Sequence, residues 1–329
     1  MKLSIIVPIY KVEQYVHTCL ESIFRQGLED DIFEVILIND GTPDKSMEVI
    51  QDIIESHKNI RVINQENQGL SVARNNGIAA AKGEYILMPD SDDLLIENSL
   101  KPLLEIALET KADLVLADFL AMTDQEINSI NTIPQKEIVI KEKTGKQLFL
   151  EDLNPYHCYV WRTLYKKDFI VSKNISFYPG IKYQDIPFTH ECYLKANDGV
   201  KTNILLNIYR RWSGSSTKTY NIKNTKDFII AIAKTWDLRQ MDGLSPDVLF
   251  KLEENIYTSF RMMIYHILHT AKQKTERNEI MDYLNHHAPN LYFTHGIQQR
   301  FISMMIKIAP HFFINQYYHY AQNAYNKNH

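Results

Sequence analysis

Residues 85–93 read YILMPDSDD, an apolar run followed by the three carboxylates of Asp90, Asp92 and Asp93. The run is short and uninterrupted, which is typical of a buried strand rather than a helix. Carboxylates crowded at a strand end repel one another unless a cation or hydrogen-bond donors compensate them. Their spacing predicts a site for a hard divalent cation that also binds phosphate oxygens. Taken alone, the same residues are equally consistent with Asp92 or Asp93 capping the helix that follows.

The composition narrows the class of protein. The chain has 329 residues, enough for one large domain with an appendage or for two smaller units. Its formal net charge of -4 gives no overall attraction for nucleic acid, so no nucleic-acid partner is expected. The three cysteines lack CxxC spacing, which indicates neither a disulfide framework nor a zinc site and favours a reducing compartment.

The sequence contains no recognisable signal peptide or membrane-spanning segment. Pro8 interrupts the apolar run 3–7 before a signal-peptide core develops. No stretch reaches the roughly 18 apolar residues of a spanning helix. We therefore expect a cytoplasmic protein that at most lies on the inner face of the membrane.

Apolar runs and amphipathic stretches alternate over the first 120 residues. Buried strands are predicted at 3–7, ended by Pro8, and at 33–38, 60–63, 85–88 and 112–120. Helices are predicted at 12–24, 46–54, 71–81 and 99–110. Such alternation predicts an α/β fold, with a mostly parallel sheet flanked by helices. Ligands of these sheets bind beyond the carboxyl ends of the strands, which is where Pro8, Tyr10, Asp40 and Asp90–Asp93 fall.

The regularity fades after residue 122. Residues 123–146 are predicted to form a connection with one strand near 138–140. The aromatic stretch 159–165 is expected in the core or in a pocket wall. A helix is predicted up to Leu194 with Asp185 at its start, followed by a strand at 204–209.

From Lys226 onward the pattern is helical, and the last acidic residue is Asp282. The residues beyond it are rich in Phe and Tyr, and their fixed positive charges are those of Arg300, Lys307 and Lys327. Each such charge contributes about 1 kcal/mol near an anionic membrane. This tail could rest in a membrane interface or dock on a partner. Packing on its own domain or in a homodimer is an equally good interpretation.

Two common phosphate-binding motifs are missing. No GxGxxG follows the first predicted strand and no GxxxxGK[ST] occurs, so neither a Rossmann dinucleotide site nor a P-loop is supported. A metal ion on the aspartates is then the simplest way for this sheet to bind a phosphorylated ligand.

Four motifs together resemble a known family. They are IIVPIY at 5–10, INDGT at 38–42, NQGLSVARN at 67–75 and PDSDD at 89–93. In this order they closely resemble the family 2 glycosyltransferases of the GT-A fold, strongly over residues 1–120 and more loosely to about 217. The resemblance implies transfer of a sugar from a nucleotide-sugar, usually a UDP-sugar, with inversion at the anomeric carbon and with Mn²⁺ or Mg²⁺. It also implies a saccharide or lipid-linked acceptor in surface polysaccharide synthesis.

The resemblance assigns the nucleotide site position by position. Pro8 and Tyr10 would border the base, with Tyr10 stacking on uracil, and Asp40 would accept from a ring N–H. Arg74 would face the nucleotide, and Asp90 would lie near the ribose. Without the family, Tyr10 would be interpreted as an aromatic at a helix entry, Asp40 as a turn former and Arg74 as a solvated side chain.

The metal and the catalytic base are also assigned by resemblance. Asp92 would bind the metal that bridges the diphosphate, and Asp93 would either bind it too or cap a helix. Residues 183–188 resemble the family's Glu-Asp-x-x-Phe pattern, which makes Asp185 the base that takes the proton of the acceptor hydroxyl. Gln184 replaces the usual glutamate, which puts the tuning of Asp185 and the choice of acceptor in doubt.

The family's closing loop resembles a basic, hydroxyl-rich stretch of this chain. Arg210, Arg211, Ser215 and Ser216 would cover the diphosphate and stabilise the charge that develops on the leaving group. An ordinary surface loop is the alternative.

These assignments divide the chain at residue 220. Residues 1–220 are expected to form the GT-A domain, with a nucleotide-binding half at 1–118 and an acceptor-side half at 119–220. Residues 221–329 are expected to form a helical C-terminal region. Two other functions stay open, namely a non-catalytic member that binds nucleotide-sugar or acts as a scaffold, and, less favoured, a nucleotidyltransferase.

Overall fold

The computed structural model describes residues 1–130, 132–211 and 220–327, with side chains as far as residue 321. The chain forms two compact units. The first contains Met1–Leu153, Cys158–Gly180 and the segment that begins at Phe188. The second contains Asn154–His157, Ile181–Pro187 and the helices of the C-terminal part. The functional division at residue 220 stays a prediction.

The described residues contain nine strands and thirteen α-helices. The strands are β1 Leu3–Ile9, β2 Phe33–Asp40, β3 Ile60–Gln65, β4 Tyr85–Leu87, β5 Leu94–Leu95, β6 Leu114–Met122, β7 Ile140–Thr144, β8 Thr163–Lys166 and β9 Asp198–Arg210. The helices are α1 Val16–Phe24, α2 Gln51–Ser56, α3 Leu70–Ala80, α4 Leu100–Thr110, α5 Asp124–Ser129, α6 Gly145–Glu151, α7 Lys167–Ser172, α8 Asp185–Lys195, α9 Ile222–Asp237, α10 Pro246–Thr270, α11 Lys274–His287, α12 Gly296–Ile308 and α13 Pro310–Lys327.

All nine strands join one mixed sheet in the first unit. The strand order is β3-β2-β1-β4-β8-β6-β9-β5, and β7 pairs with β9 beside this path. The strands from β3 to β4 are parallel, as is the pair of β6 and β9, whereas β5, β7 and β8 run antiparallel to their neighbours. The predicted alternation of strands and helices is therefore present in the N-terminal half.

Helix α3 lies unusually close to β1. A Cβ added to Gly77 would come within 2.2 Å of Cγ2 of Ile6, so only glycine allows this approach. Ala73 is also fully buried on this helix. The close packing brings the buried face of α3, which includes Arg74, up to the sheet.

Strand β1 passes through Pro8, and the prediction that Pro8 ends the strand is wrong. The strand continues to Ile9, with Pro8 paired to Ile38 of β2. On the other side of β1, β4 pairs only with Leu3, Ser4 and Ile5. Proline has no N–H to donate, so it is tolerated where one side of a strand lacks a partner.

The structure differs from the sequence-based expectation at two places, the predicted helix 46–54 and the predicted connection after residue 122. In place of one helix at 46–54, a short 3-10 turn at Lys45–Met47 precedes α2, and the Asp44 side chain accepts from the N–H of Ser46 at the start of the turn. The connection predicted after residue 122 begins instead with α5. The Thr123 hydroxyl and the Glu126 carboxylate cap that helix reciprocally.

The later strands lie near their predicted positions. β7 begins at Ile140, where a strand near 138–140 was expected, and β9 is longer than the predicted strand 204–209. In the aromatic stretch 159–165, Trp161 and Tyr165 are buried, as expected for core residues.

In the second unit, the helices from α9 onward agree with the predicted helical C-terminal region. Tyr183 stacks on Phe228 of α9, with ring centroids 4.4 Å apart. His266 of α10 makes edge contacts with both rings, at centroid distances of 5.6 and 5.4 Å. Burial lowers the pKa of His266 to about 4.

Among the described residues, no helix combines the length and the apolar character needed to cross a membrane.

The low pKa of His266 predicts acid sensitivity. An unfolded imidazole takes up a proton near its ordinary pKa of about 6.5, whereas the folded one does so only near 4. The unfolded state therefore binds more protons between these values, and stability falls as the pH drops from about 6.5 to about 4. We expect His266→Leu to lose much less stability than the wild type between these pH values, measured by denaturant unfolding.

The control for this prediction is His319→Leu, because His319 is exposed on α13. The control should keep the acid sensitivity of the wild type. An equal loss of stability in His266→Leu and the wild type would contradict the prediction.

Candidate active site

Three carboxylates meet just beyond the carboxyl end of β4. Asp90, Asp92 and Asp93 each place an oxygen within 4.8 Å of the others. β5 follows this turn, and the next helix begins only at Leu100 with Ser99 at its N-cap position. The alternative that Asp92 or Asp93 caps the following helix is therefore wrong.

Asp93 is the buried member of the cluster. Its Oδ1 accepts the backbone N–H of Arg210 at 2.8 Å. Its Oδ2 is buried and accepts no hydrogen bond from the described residues. Burial, together with the charges of Asp90 and Asp92, raises the pKa of the Asp93 carboxyl well above its ordinary value. A divalent cation would offset these repulsions, so the residues fit a metal of the Mg²⁺ or Mn²⁺ type.

Arg74 reaches the cluster from α3. It is fully buried and its Nη2 donates to Oδ1 of Asp90 at 2.6 Å. Its guanidinium also lies 5.2 Å from the ring centroid of Phe177. The structure thus brings Arg74 and Asp90 together, and Arg74 contacts the carboxylate for which the family resemblance implies a place near the ribose.

Asp40 ends β2 and holds the loop before α3. Its Oδ1 accepts from the side chain of Gln65 at 2.7 Å and from the N–H of Gln68 at 2.8 Å. Its Oδ2 accepts from the side chain of Asn67 at 3.0 Å and from the N–H of Gly69 at 2.9 Å. A carboxylate offers about four accepting positions. A base N–H could therefore reach Asp40 only after one of these donors had moved.

Tyr10 follows β1 at the same edge of the sheet and is 40% exposed. The next residue, Lys11, donates its N–H to Oγ1 of Thr42 at 2.8 Å, which ties the end of β1 to the turn after Asp40. Pro8 is buried in the strand, in register with Ile38. The ends of β1 and β2 therefore come together, and Tyr10 offers an exposed ring there.

Arg210 closes the cluster from β9. Besides the N–H bond to Asp93, its Nε donates to the backbone oxygen of Asp92 at 2.9 Å, and its guanidinium pairs with Asp124 of α5. It also lies 4.9 Å from the ring centroid of Tyr15. Arg210 is therefore held at several points.

Arg211 differs from Arg210. Its Nη2 donates to Oε2 of Glu126 on α5 at 3.2 Å, and both side chains are about half exposed. Ser215 and Ser216, the other predicted members of the diphosphate loop, lie outside the described residues.

Asp185, which belongs to the second unit, is the first residue of α8. The preceding Tyr183 has a φ of 63°, a left-handed value that is rare for a bulky side chain. Its stacking on Phe228 and the hydrogen bond from the Ile186 N–H to its oxygen, at 3.1 Å, hold this turn. The Gln184 amide donates to Oδ1 of Asp185 at 3.1 Å. Gln184 thus supplies a donor where the family pattern has a second carboxylate.

Three residues that hold the site together were not predicted from the sequence. These are Asp124 on α5, and Phe177 and Tyr15 beside the two buried arginines. The Thr123-x-x-Glu126 pattern could have revealed α5, because it is a capping box. The two aromatic contacts leave no local signal in the sequence.

A family model described as glycosyl transferase family 2 matches residues 4–169. The glycosyltransferase EpsJ of Bacillus subtilis, itself described as uncharacterized, is 36% identical over 219 residues, which cover 65% of this chain and 62% of EpsJ. The chain thus matches less than two thirds of the length of that relative.

Solved structures show the same fold. S. aureus TarS 1-349 in complex with UDP has a TM-score of 0.69 at 18% identity, covering 100% of this chain and 92% of that one. The mannosyltransferase PcManGT from Pyrobaculum calidifontis, in complex with GDP-Man and Mn²⁺, has a TM-score of 0.54 at 13% identity, covering 93% and 84%. The GT-A fold predicted from the sequence is confirmed.

The carboxylate cluster generates a stability prediction. Asp93→Asn removes one of three crowded charges and keeps the Oδ1 that accepts from Arg210. In a chelating buffer at neutral pH, we expect this variant to melt at a higher temperature than the wild type, by differential scanning calorimetry. The control is Asp30→Asn, at an exposed position. A lower melting temperature for Asp93→Asn than for the wild type would show that the repulsion is compensated within the chain.

Proposed function

The chain belongs to glycosyl transferase family 2, and on this premise we propose that it transfers a sugar from a UDP-sugar to an acceptor hydroxyl, with inversion and with a divalent metal. The observation that carries the proposal is the meeting of Asp90, Asp92 and Asp93 beyond β4. The ends of β1 and β2 are tied together at the same sheet edge. A nucleoside diphosphate needs both a surface for its base and a cation for its phosphates.

The proposed donor site uses both groups of residues. The exposed ring of Tyr10 stacks on the base beside Pro8, and Asp90, oriented by Arg74, faces the ribose. Asp40 keeps the neighbouring loop in place through its four hydrogen bonds and accepts from the base only if a donor leaves. TarS in complex with UDP supports a uridine nucleotide.

Asp92 and Asp93 would hold the metal. When bound, a divalent cation neutralises charge on the diphosphate as it becomes the leaving group. The mannosyltransferase structure with Mn²⁺ supports such an ion. The buried Oδ2 of Asp93 offers an oxygen ligand for this ion, because no described residue donates a hydrogen bond to that oxygen.

Asp185 is the proposed base. The acceptor oxygen attacks the anomeric carbon as the bond to the diphosphate breaks, and the electron pair of that bond leaves with the diphosphate. The hydroxyl proton passes to the Asp185 carboxylate. The amide of Gln184 orients this carboxylate through its hydrogen bond to Oδ1, at 3.1 Å. The acceptor hydroxyl is proposed to belong to a saccharide or to a lipid-linked glycan.

The two arginines at the end of β9 have different proposed roles. Arg210 is bound to Asp92, Asp93 and Asp124, so it keeps the metal-binding turn in shape. Among the described residues, the side chain of Arg211 forms an exposed ion pair with Glu126, a kind worth about 0–1 kcal/mol. Arg211 can therefore exchange Glu126 for the diphosphate at little cost.

Turnover tests the proposed reaction. With a panel of UDP- and GDP-sugars and Mn²⁺, we expect release of nucleoside diphosphate that depends on an acceptor and stops when the metal is chelated. Asp185→Asn should lower kcat by about 100-fold or more because the base is lost. The matched control is Asp168→Asn, an exposed acid in the first turn of α7, which should keep wild-type turnover.

Four results would contradict this proposal. Full transfer by Asp185→Asn would show that Asp185 is not the base. Full activity in the presence of chelator would show that the reaction does not need a metal. Nucleotide-sugar binding without transfer to any acceptor would favour the non-catalytic scaffold, which Gln184 and the aromatic C-terminal tail motivate. Release of pyrophosphate would favour nucleotidyl transfer.

The arginine assignment gives a separate kinetic prediction. Arg211→Gln should raise the KM for the donor about tenfold, as expected for loss of one hydrogen bond to a charged group, with an unchanged melting temperature. Arg210→Gln should instead lower the melting temperature and raise the Mn²⁺ concentration needed for half-maximal activity. Glu126→Gln is the control, since it frees Arg211 while glutamine preserves the capping box. If both arginine variants changed the KM and the metal dependence equally, the proposal that Arg210 and Arg211 have different roles would be refuted.

A further inference from the structure

Helix α12 in the second unit exposes a continuous apolar stripe. Its members are Ile297, Phe301, Met304 and Ile308, with exposed fractions of 90%, 55%, 42% and 75%. At about 100° per residue these four positions fall within an arc of about 60° on the helix. Large apolar side chains in one row on a surface mark an interaction site, whereas isolated ones are ordinary.

The opposite face of α12 is firmly attached to its own unit. Ser303 and Ile306 are buried. The Ser303 hydroxyl accepts the N–H of Phe293 at 2.8 Å, and the Asn285 amide donates to the Ile306 oxygen at 3.1 Å. Because these contacts fix the inner face, the apolar stripe points away from the core of this unit.

Two cations flank the stripe on one side. Arg300 and Lys307 are exposed and lie roughly 80° from the centre of the stripe. Arg300 donates to the Thr294 oxygen at 2.7 Å, and the Lys307 ammonium lies 5.4 Å from the ring centroid of Tyr292. No Asp or Glu occurs after Asp282 in the sequence. The face is thus apolar and basic, with no acidic group from its own helix or from α13.

Size and charge favour a membrane over a second protein copy. A stable dimer uses about 20–30 residues per partner, whereas the stripe has four. An amphipathic helix with basic flanks binds anionic lipid by inserting its apolar face into the headgroup region. At 13 residues, α12 is about 20 Å long, too short to span the roughly 30 Å hydrocarbon layer. It has the dimensions of a helix that lies in the interface.

We propose that α12 docks the protein on an anionic lipid bilayer, with the stripe Ile297, Phe301, Met304 and Ile308 inserted and with Arg300 and Lys307 on lipid phosphates. This proposal does not depend on glycosyl transfer, because it concerns binding alone.

Vesicle cosedimentation of the full chain tests the proposal. The probes are vesicles of phosphatidylcholine with phosphatidylglycerol, and vesicles of phosphatidylcholine alone. We expect the wild type to bind the mixed vesicles more tightly. Ile297→Ser/Ile308→Ser should lower the partition coefficient at least about tenfold on both kinds of vesicle, because buried hydrocarbon is lost.

Two further variants test the contribution of charge to vesicle binding and serve as a control. Arg300→Gln/Lys307→Gln should weaken binding to mixed vesicles roughly fivefold per removed charge and leave binding to phosphatidylcholine unchanged. Val171→Ser is the matched control, since Val171 is 59% exposed on α7 in the other unit. It should bind as the wild type does. Melting temperatures confirm that each variant is folded.

The proposal is overturned if the wild type binds neither kind of vesicle, or if both double variants bind as tightly as the wild type. It is also overturned if sedimentation velocity shows a wild-type dimer that the Ile297→Ser/Ile308→Ser variant converts to monomer. That last result would assign the stripe to a second copy of the chain.

Discussion

Electrostatic repulsion among three carboxylates is the constraint on which the first unit depends. Asp93 is buried beside Asp90 and Asp92, an arrangement that is unfavourable without compensation. Compensation comes from two directions, through Arg74 on α3 and Arg210 on β9. The helix and the strand must therefore both be in place before the turn after β4 can be stable. A bound cation would offset the repulsion among the three carboxylates that the two arginines do not compensate.

The two arginines connect distant parts of the chain. Arg74 lies 16 residues from its aspartate, whereas Arg210 lies 117 residues from Asp93. The first contact belongs to the N-terminal half, which carries the four family motifs. The second contact requires β9 to have joined the sheet, and α5 to present Asp124. The turn after β4 is thus completed by residues from outside the segment whose motifs identify the family.

The sequence predicted the parts of the structure whose causes are local. Apolar runs located the buried strands, and the four motifs located the residues at their carboxyl ends. The partners of those residues were not predictable, because they arise from tertiary packing. Nothing near Asp40 indicated that four donors would fill its carboxylate. Pro8 was misinterpreted for the same reason, since its tolerance depends on where β4 stops pairing.

Gly77 takes no part in chemistry, yet the position of Arg74 depends on it. The two residues lie three positions apart on α3, and a side chain at 77 would push the helix away from Ile6. The bond between Arg74 and Asp90 measures 2.6 Å and would not survive a helix displacement of an ångström or so. The mutational tolerance of the contact between Arg74 and Asp90 is therefore set in part by an inert residue. A survey of reactive side chains alone would overlook it.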